Sequence, residues 1–168
     1  MIQIQTVDSP IGPLTAAERG GRVCLLHFGV DGPEIDRFFE RWYPGEPRAR
    51  QQLTAAGPAL TGYFDGQLDA LDTIPVELNG TEFQKKVWQA LRRIPCGTTT
   101  SYAELARRVG SASAVRAVGA ANGANPVAVI VPCHRVIGSD GSLIGYGGGL
   151  ERKQWLLAHE GLSRPKLF

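Results

Sequence analysis

The chain is short of sulfur, with three cysteines and one methionine in 168 residues. Cys24, Cys96 and Cys133 are an odd set at wide spacing with no CxxC pair, which excludes a disulfide framework. Cys24 and His27 stand three apart, but no second pair accompanies them, so a buried strand cysteine is preferred over a metal half-site. No apolar run approaches the roughly 18 residues that a membrane helix needs. Met1–Gln5 lacks the basic and then apolar pattern of a secretory signal, so a reduced, cytoplasmic setting is expected. Repeats and low-complexity tracts are also missing. Apolar residues at 43% and charged residues at 20% exclude a disordered or collagen-like chain.

Net charge is also low, at +2. That value is a cancellation. Residues 1–80 carry 6 basic and 11 acidic side chains, and every base among them is arginine. Residues 81–168 carry 12 basic and 5 acidic ones. A basic half points to an anionic partner for that half, nucleic acid among the candidates.

What is present falls into two parts. In 1–80, Ile2–Val7, Leu14–Ala17 and Val23–Phe28 read as strands separated by Ser9–Gly12 and Gly20-Gly21 turns. Pro33–Tyr43 reads as a helix with Ile35, Phe38, Phe39 and Trp42 on one side. Arg48–Tyr63 is expected to be a second helix, interrupted at Gly57-Pro58, and Thr73–Leu78 a last strand. A short antiparallel sheet with helices against it follows.

Asn79-Gly80 marks the expected boundary. Thr81 and Gln84 form a capping box for a helix with Phe83, Val87, Leu91 and Ile94 on one face. Ser101 and Glu104 predict a second box, opening the helix Tyr102–Val109. Gly110–Ser113 is a turn, and Ala114–Ala124 a third helix built from small residues. Together the last two helices have the shape of a helix-turn-helix. Val127–Val131 is fully apolar and reads as a buried strand. The Gly145–Gly149 stretch is a loop, and a final helix runs from about Leu150 to Glu160 with Gly161 as its C-cap.

The chemistry concentrates at Cys133. It follows a proline and precedes His134 and Arg135. A thiol needs a base or positive charge to become a nucleophile, and His134 is the candidate base. Neighbouring side chains on extended backbone diverge, so a bridging water is expected between them. Asp140, Glu151 and Glu160 all qualify to orient the imidazole. The small-residue helix has a face bare enough for a minor groove about 6 Å wide, with Arg116 as its one long side chain. Tight packing against protein explains the same small residues equally well. A lesion-binding regulator and a Cys-His hydrolase are the competing functional classes.

Pro132-Cys133-His134-Arg135-Val136 resembles the active-site motif of the O6-alkylguanine-DNA alkyltransferases, also called methylated-DNA–protein-cysteine methyltransferases. Gly80–Gln84, Val87-Trp88, Ser101-Tyr102, Arg116–Gly119, Asn125-Pro126, Gly145-Tyr146 and Leu156–Gly161 stand in that family's order. The resemblance is specific over 81–161. It is looser over 1–80, where Asp8–Leu14 and Tyr63–Gly66 carry it.

The resemblance implies an α/β (α+β) chain of two domains. Residues 1–80 would be a ribonuclease-H-like scaffold with a small antiparallel sheet. Residues 81–168 would be mainly helical, with a winged helix-turn-helix-like motif. It implies a stand-alone, bacterial-type, monomeric repair protein acting on double-stranded DNA, without cofactor, metal or membrane. Cys133 would accept the alkyl group irreversibly from O6 of guanine, or from O4 of thymine. His134 would be the base through water, Glu160 its orienting partner, Tyr102 the acid at ring N3, and Asn125 a hinge. Arg116 would fill the space of the flipped nucleotide, with Ala117 and Ser101 among the contacting residues. The carbonyls of Cys133 and Val136 would hold the guanine amino group. Tyr146 would wall the pocket and the Gly147 N–H would face O6. Arg135 would be structural. Ala128 and Gly147 depart from the proline and serine of some animal members, and Ala128 implies a roomier pocket.

Overall fold

The computed structural model describes residues 1–143 and 145–162, with the backbone of 166–167. Two compact units divide the chain. One is Met1–Asn79 with Pro126–Ile130, and the other is Gly80–Asn125 with the segment from Val131 onward.

The first unit is a four-stranded sheet carrying two helices. β1 (Ile2–Val7), β2 (Leu14–Arg19) and β3 (Arg22–Phe28) form an antiparallel meander. Gly20 and Gly21 both take positive φ, 58° and 76°, as a two-residue hairpin turn requires. Pro33 opens α1 (Pro33–Trp42), where its missing N–H costs nothing. Ile35 and Phe39 of that helix pack with Ile2, Ile4, Ala17, Cys24, Leu25 and Tyr43 into one apolar cluster. Burial pushes the Cys24 thiol up to about 12, and it donates toward the Ala17 carbonyl at 3.6 Å. His27 faces Glu34 at 3.4 Å.

Several expectations for this unit need correction. Arg48–Tyr63 is not one helix. Arg48–Arg50 is a strand, β4, pairing in parallel with Ile2–Ile4, so the sheet is antiparallel only across β1–β3 and its order is β3-β2-β1-β4. The helix α2 starts at Ala56 and runs to Phe64, which puts Pro58 in its first turn, where proline fits, and not at a kink. Thr73–Leu78 is no strand. It makes a single parallel bridge, Val23 with Val76, flanked by Val23 N–H to the Pro75 carbonyl at 2.9 Å. Val127–Val131 is likewise no strand. After one bridge from Val127 to Leu26 the chain turns, with Val129 at φ 68° and Ile130 N–H on the Ala128 carbonyl at 2.7 Å. That is a three-residue γ-turn, strained for a β-branched residue. The Ala128 N–H bonds Leu26 O at 3.2 Å, a bond that proline at this position would lack.

The second unit is helical. Thr81 and Gln84 cap α3 (Glu82–Leu91) reciprocally, and Val87, Trp88 and Leu91 are buried beneath it. Short β5 (Thr100–Ser101) leads into α4 (Tyr102–Arg108), followed by a turn and α5 (Val115–Gly123). The second capping box is only half made. Ser101 Oγ accepts the Glu104 N–H at 3.0 Å, but the Glu104 carboxylate turns to Arg107 and Arg108. Trp88 Nε1 donates to the Ala121 carbonyl at 2.8 Å, fixing α5 against α3. A 3₁₀ turn, Cys133–Arg135, runs into β6 (Val136–Ile137), which pairs in parallel with β5. β7 (Ser142–Leu143), α6 (Leu150–His159) and β8 (Lys166–Leu167) complete the unit. Among the described residues no helix is long and apolar enough to cross a membrane.

α2 has no side chain of its own at its start. Glu18, buried on β2, replaces it: its Oε1 accepts the N–H groups of Ala55 and Ala56 at 3.2 and 2.6 Å. Glu18→Ala leaves both donors unsatisfied, and urea unfolding is expected to show a loss of about 1–3 kcal/mol.

Candidate active site

Several elements of the second unit bring the site together. The first is the 3₁₀ turn that opens with Cys133. The Cys133 N–H reaches back to the Val131 carbonyl at 2.8 Å around Pro132, whose fixed φ suits such a tight reversal. The thiol is buried. Burial raises its pKa above the ordinary thiol value, while a hydrogen bond from Asn125, the Lys153 charge and a contact with Tyr146 pull the other way.

His134 is fully buried beside it. Its Nε2 lies 2.9 Å from Glu160 Oε2. The carboxylate can only accept, so Nε2 carries the proton and Nδ1 holds a lone pair. Burial lowers the His134 pKa further than Glu160 restores it, so the ring is neutral near pH 7. Nδ1 is buried and has no hydrogen-bond partner among the described residues. A buried lone pair of this kind is a site for an ordered water and a proton acceptor in waiting.

Glu160 ends α6 and is buried. Arg135 grips both of its oxygens, Nε to Oε1 at 2.8 Å and Nη2 to Oε2 at 3.0 Å, and its Nη1 bonds the Ile94 carbonyl at 2.7 Å. Desolvation alone would raise Glu160, but His134 and Arg135 together hold it well below the usual carboxylate range. Of the three carboxylates open from sequence, this one meets the imidazole. Asp140 accepts from Ser142, and Glu151 is exposed.

Around this core lie the other residues. Tyr102 begins α4, and burial raises its phenol, with the Cys133 charge adding to that and Asn122 easing it. Asn125 donates from Nδ2 to the Val131 carbonyl at 2.8 Å, tying the end of α5 to the Cys133 segment. Val136 is buried, with its N–H on the Cys133 carbonyl. Tyr146 and Gly147 lie in the Gly145–Gly149 loop, and a Cβ at Gly147 would meet nothing within 4 Å, so packing does not demand glycine there. Arg116 and Ala117 are exposed on α5 beside Val115, Ala120, Gly123 and Ala124, a nearly bare face with one long cation. No salt bridge among the described residues uses Arg116.

Sequence reasoning missed two residues. Lys153 is fully buried, and its Nζ donates to the Gly145 carbonyl at 3.4 Å. Burial lowers its pKa to about 8, with the Cys133 charge acting against that. Its signal was present: Lys153, Leu156, Leu157 and Glu160 fall at i, i+3, i+4 and i+7, the buried stripe of α6. Asn122 is the other, buried on α5 with Nδ2 donating to the Cys133 carbonyl at 3.4 Å. Arg135 and Lys153 also remove two cations from the basic half's surface, and Glu104 engages two more at Arg107 and Arg108. Among the described residues no group of three or more His, Cys, Asp or Glu side chains is arranged to hold a metal ion.

The arrangement is a neutral imidazole locked by a carboxylate, next to a buried thiol, on a unit with a bare helix face. Its sequence is similar to known proteins throughout. Residues 82–162 match the model of the 6-O-methylguanine DNA methyltransferase DNA-binding domain. A methylated-DNA–protein-cysteine methyltransferase of Mycolicibacterium paratuberculosis is 47% identical over 165 residues, 98% of this chain and 96% of its own. Another, from Salmonella typhimurium, is 44% identical over 167 residues, 94% of each chain. The crystal structure of the Mycobacterium tuberculosis O6-methylguanine methyltransferase matches with a TM-score of 0.81 at 44% identity, over 98% of this chain and 96% of that one. The crystal structure of Mycobacterium tuberculosis OGT in complex with DNA matches with a TM-score of 0.79 at 43% identity, over 94% of this chain and 92% of that one.

The lowered His134 pKa has a consequence for stability. Between its folded value and the ordinary 6.5, the unfolded chain binds a proton that the folded one does not, so stability is lost as pH falls. The urea midpoint is expected to drop from pH 7 to pH 5 in the native protein, and to drop measurably less in His134→Gln.

Proposed function

The chain belongs to the methylated-DNA–protein-cysteine methyltransferases, and from that premise we propose how its own atoms carry out the repair. The protein reverses alkylation damage in double-stranded DNA directly. It moves the alkyl group from O6 of guanine onto a protein cysteine, once per molecule, because a thioether does not revert. O4-alkylthymine is a slower substrate of the same chemistry.

Cys133 is the acceptor in this reading. Burial keeps its thiol protonated at rest, so the proton must leave as the bond forms. His134 takes it through a water seated on Nδ1. The observation that carries this is the division of labour on the ring, with Nε2 committed to Glu160 and Nδ1 buried without a partner among the described residues. Glu160 stabilises the imidazolium that forms, and Arg135 holds Glu160 in place. Lys153 adds positive charge near the developing thiolate.

The lesion must leave the base stack to reach a buried thiol. We read the bare face of α5 as the surface that enters the minor groove, with Arg116 filling the vacated space and Ala117 and Ser101 contacting DNA. The carbonyls of Cys133 and Val136 receive the guanine amino group. Tyr146 walls the pocket, and the Gly147 N–H faces O6, where negative charge develops. Tyr102 donates to ring N3, and Asn125 transmits the position of α5 to the Cys133 segment. Residues 1–80 serve as scaffold and 81–168 as the reactive part. The odd, widely spaced cysteines fit a cytoplasmic setting, and the small surface excess of cations a shallow salt dependence of binding.

The test is a mass measurement after incubation with a duplex bearing O6-methylguanine. One methyl, about 14 Da, is expected on the peptide containing Cys133, with none on Cys133→Ala. An unmodified cysteine under reducing conditions, or an adduct that persists in Cys133→Ala, overturns the assignment.

A further inference from the structure

α5 is tied to the Cys133 segment twice. Asn125 holds the Val131 carbonyl, as described, and Asn122, one turn earlier, holds the carbonyl of Cys133 itself. The hinge reading uses only the first. Asn122 is a polar side chain 4% exposed, in a helix made mostly of small residues, and burying such a group is costly unless it is hydrogen-bonded. Among the described residues its Oδ1 has no hydrogen-bond partner, so the amide N–H₂ is the end that is engaged. One of those two hydrogens meets the Cys133 carbonyl. The same side chain stands close enough to the Tyr102 phenol to favour the phenolate. The Tyr102 ring lies over α5: a Cβ built on Gly119, three residues before Asn122, would meet its Cδ1 at 3.9 Å.

One amide therefore stands at both ends of the reaction, bonded to the backbone of the nucleophile and close to the phenol of the acid. We propose that Asn122 is a positioning residue that aims the Tyr102 phenol and stabilises the phenolate left when Tyr102 protonates the extruded base. The inference rests on the acid role of Tyr102 in the reading above. In the transfer, the Cys133 sulfur bonds the alkyl carbon as the carbon–O6 bond breaks, and that electron pair stays on the base. The thiol proton passes to His134, and the phenolic proton passes to ring N3. Imidazolium and phenolate then return to neutrality by releasing and taking up one proton through solvent. At the moment of transfer the phenolate is in a largely dry site, where a fixed N–H donor is far more effective than it would be in water. Without that donor the phenol is a weaker acid, and less of the charge on the base is neutralised.

A substrate comparison isolates this role from a structural one. In 3-deaza-O6-methylguanine a C–H replaces ring N3, so no phenolic proton has anywhere to go. Single-turnover transfer rates are measured on duplexes carrying each lesion, for the native protein, Tyr102→Phe, Asn122→Leu and the double variant. The ratio of the two rates is the readout, since any misfolded fraction cancels from it. Native protein is expected to prefer the natural lesion. Asn122→Leu is expected to lower that preference by about tenfold, the worth of one hydrogen bond to a charged group, and to add little on top of Tyr102→Phe. An unchanged ratio in Asn122→Leu, with Tyr102→Phe lowering it, overturns the role of Asn122 alone. An unchanged ratio in Tyr102→Phe overturns the acid reading beneath it.

Discussion

Everything in the reactive unit is arranged around one buried anion. The Glu160 carboxylate accepts from His134 and, at both oxygens, from Arg135. An isolated carboxylate in that setting would be too costly to keep ionised, and the paired donors are what keep it charged. The charge has two effects. It fixes the imidazole tautomer, which leaves Nδ1 as the basic nitrogen. It also draws together three distant stretches of chain, because Arg135 bonds the Ile94 carbonyl just past α3 while gripping the end of α6. The catalytic base and the packing of the unit thus share one interaction.

That arrangement explains how a thiol with a raised pKa serves as a nucleophile. Burial keeps Cys133 protonated and protects it from adventitious chemistry, while a neutral histidine beside it can take the proton once substrate arrives. Neither group is activated permanently. For a protein that spends its cysteine in a single event, a resting thiol is an advantage.

Much of this was legible in the chain because local chemistry agreed with the fold. Thr81 with Gln84 is a complete capping box, and Pro33, Gly20-Gly21 and Gly161 punctuate where their backbone preferences demand. The expectations failed where tertiary pairing overrode local pattern. Arg48-Ala49-Arg50 has no strand signature, yet the edge of β1 recruits it. Val127–Val131 has the composition of a buried strand, but prolines at 126 and 132 bracket it and the chain reverses inside the run. At the site, the PCHRV motif could be read directly, whereas Glu160 stood among three candidate carboxylates and only the family resemblance singled it out. Lys153 and Asn122 could not, since a lysine in an amphipathic helix and an asparagine near a helix end both read as solvent-facing. Only the i, i+3, i+4, i+7 stripe of α6 betrays the lysine, and nothing in the sequence betrays the asparagine.

The charge division of the chain also takes a definite meaning. The basic half does not simply coat a surface, because Arg135 and Lys153 are spent inside the site. What faces outward is modest, with Arg116 on a bare helix as its most pointed feature. The central claim, that Glu160 makes His134 a base, is tested most directly by Glu160→Gln. Its single-turnover rate on an O6-methylguanine duplex and its affinity for the same duplex would be measured together. The rate is expected to fall on the order of 100-fold with affinity unchanged, and an undiminished rate would contradict the account.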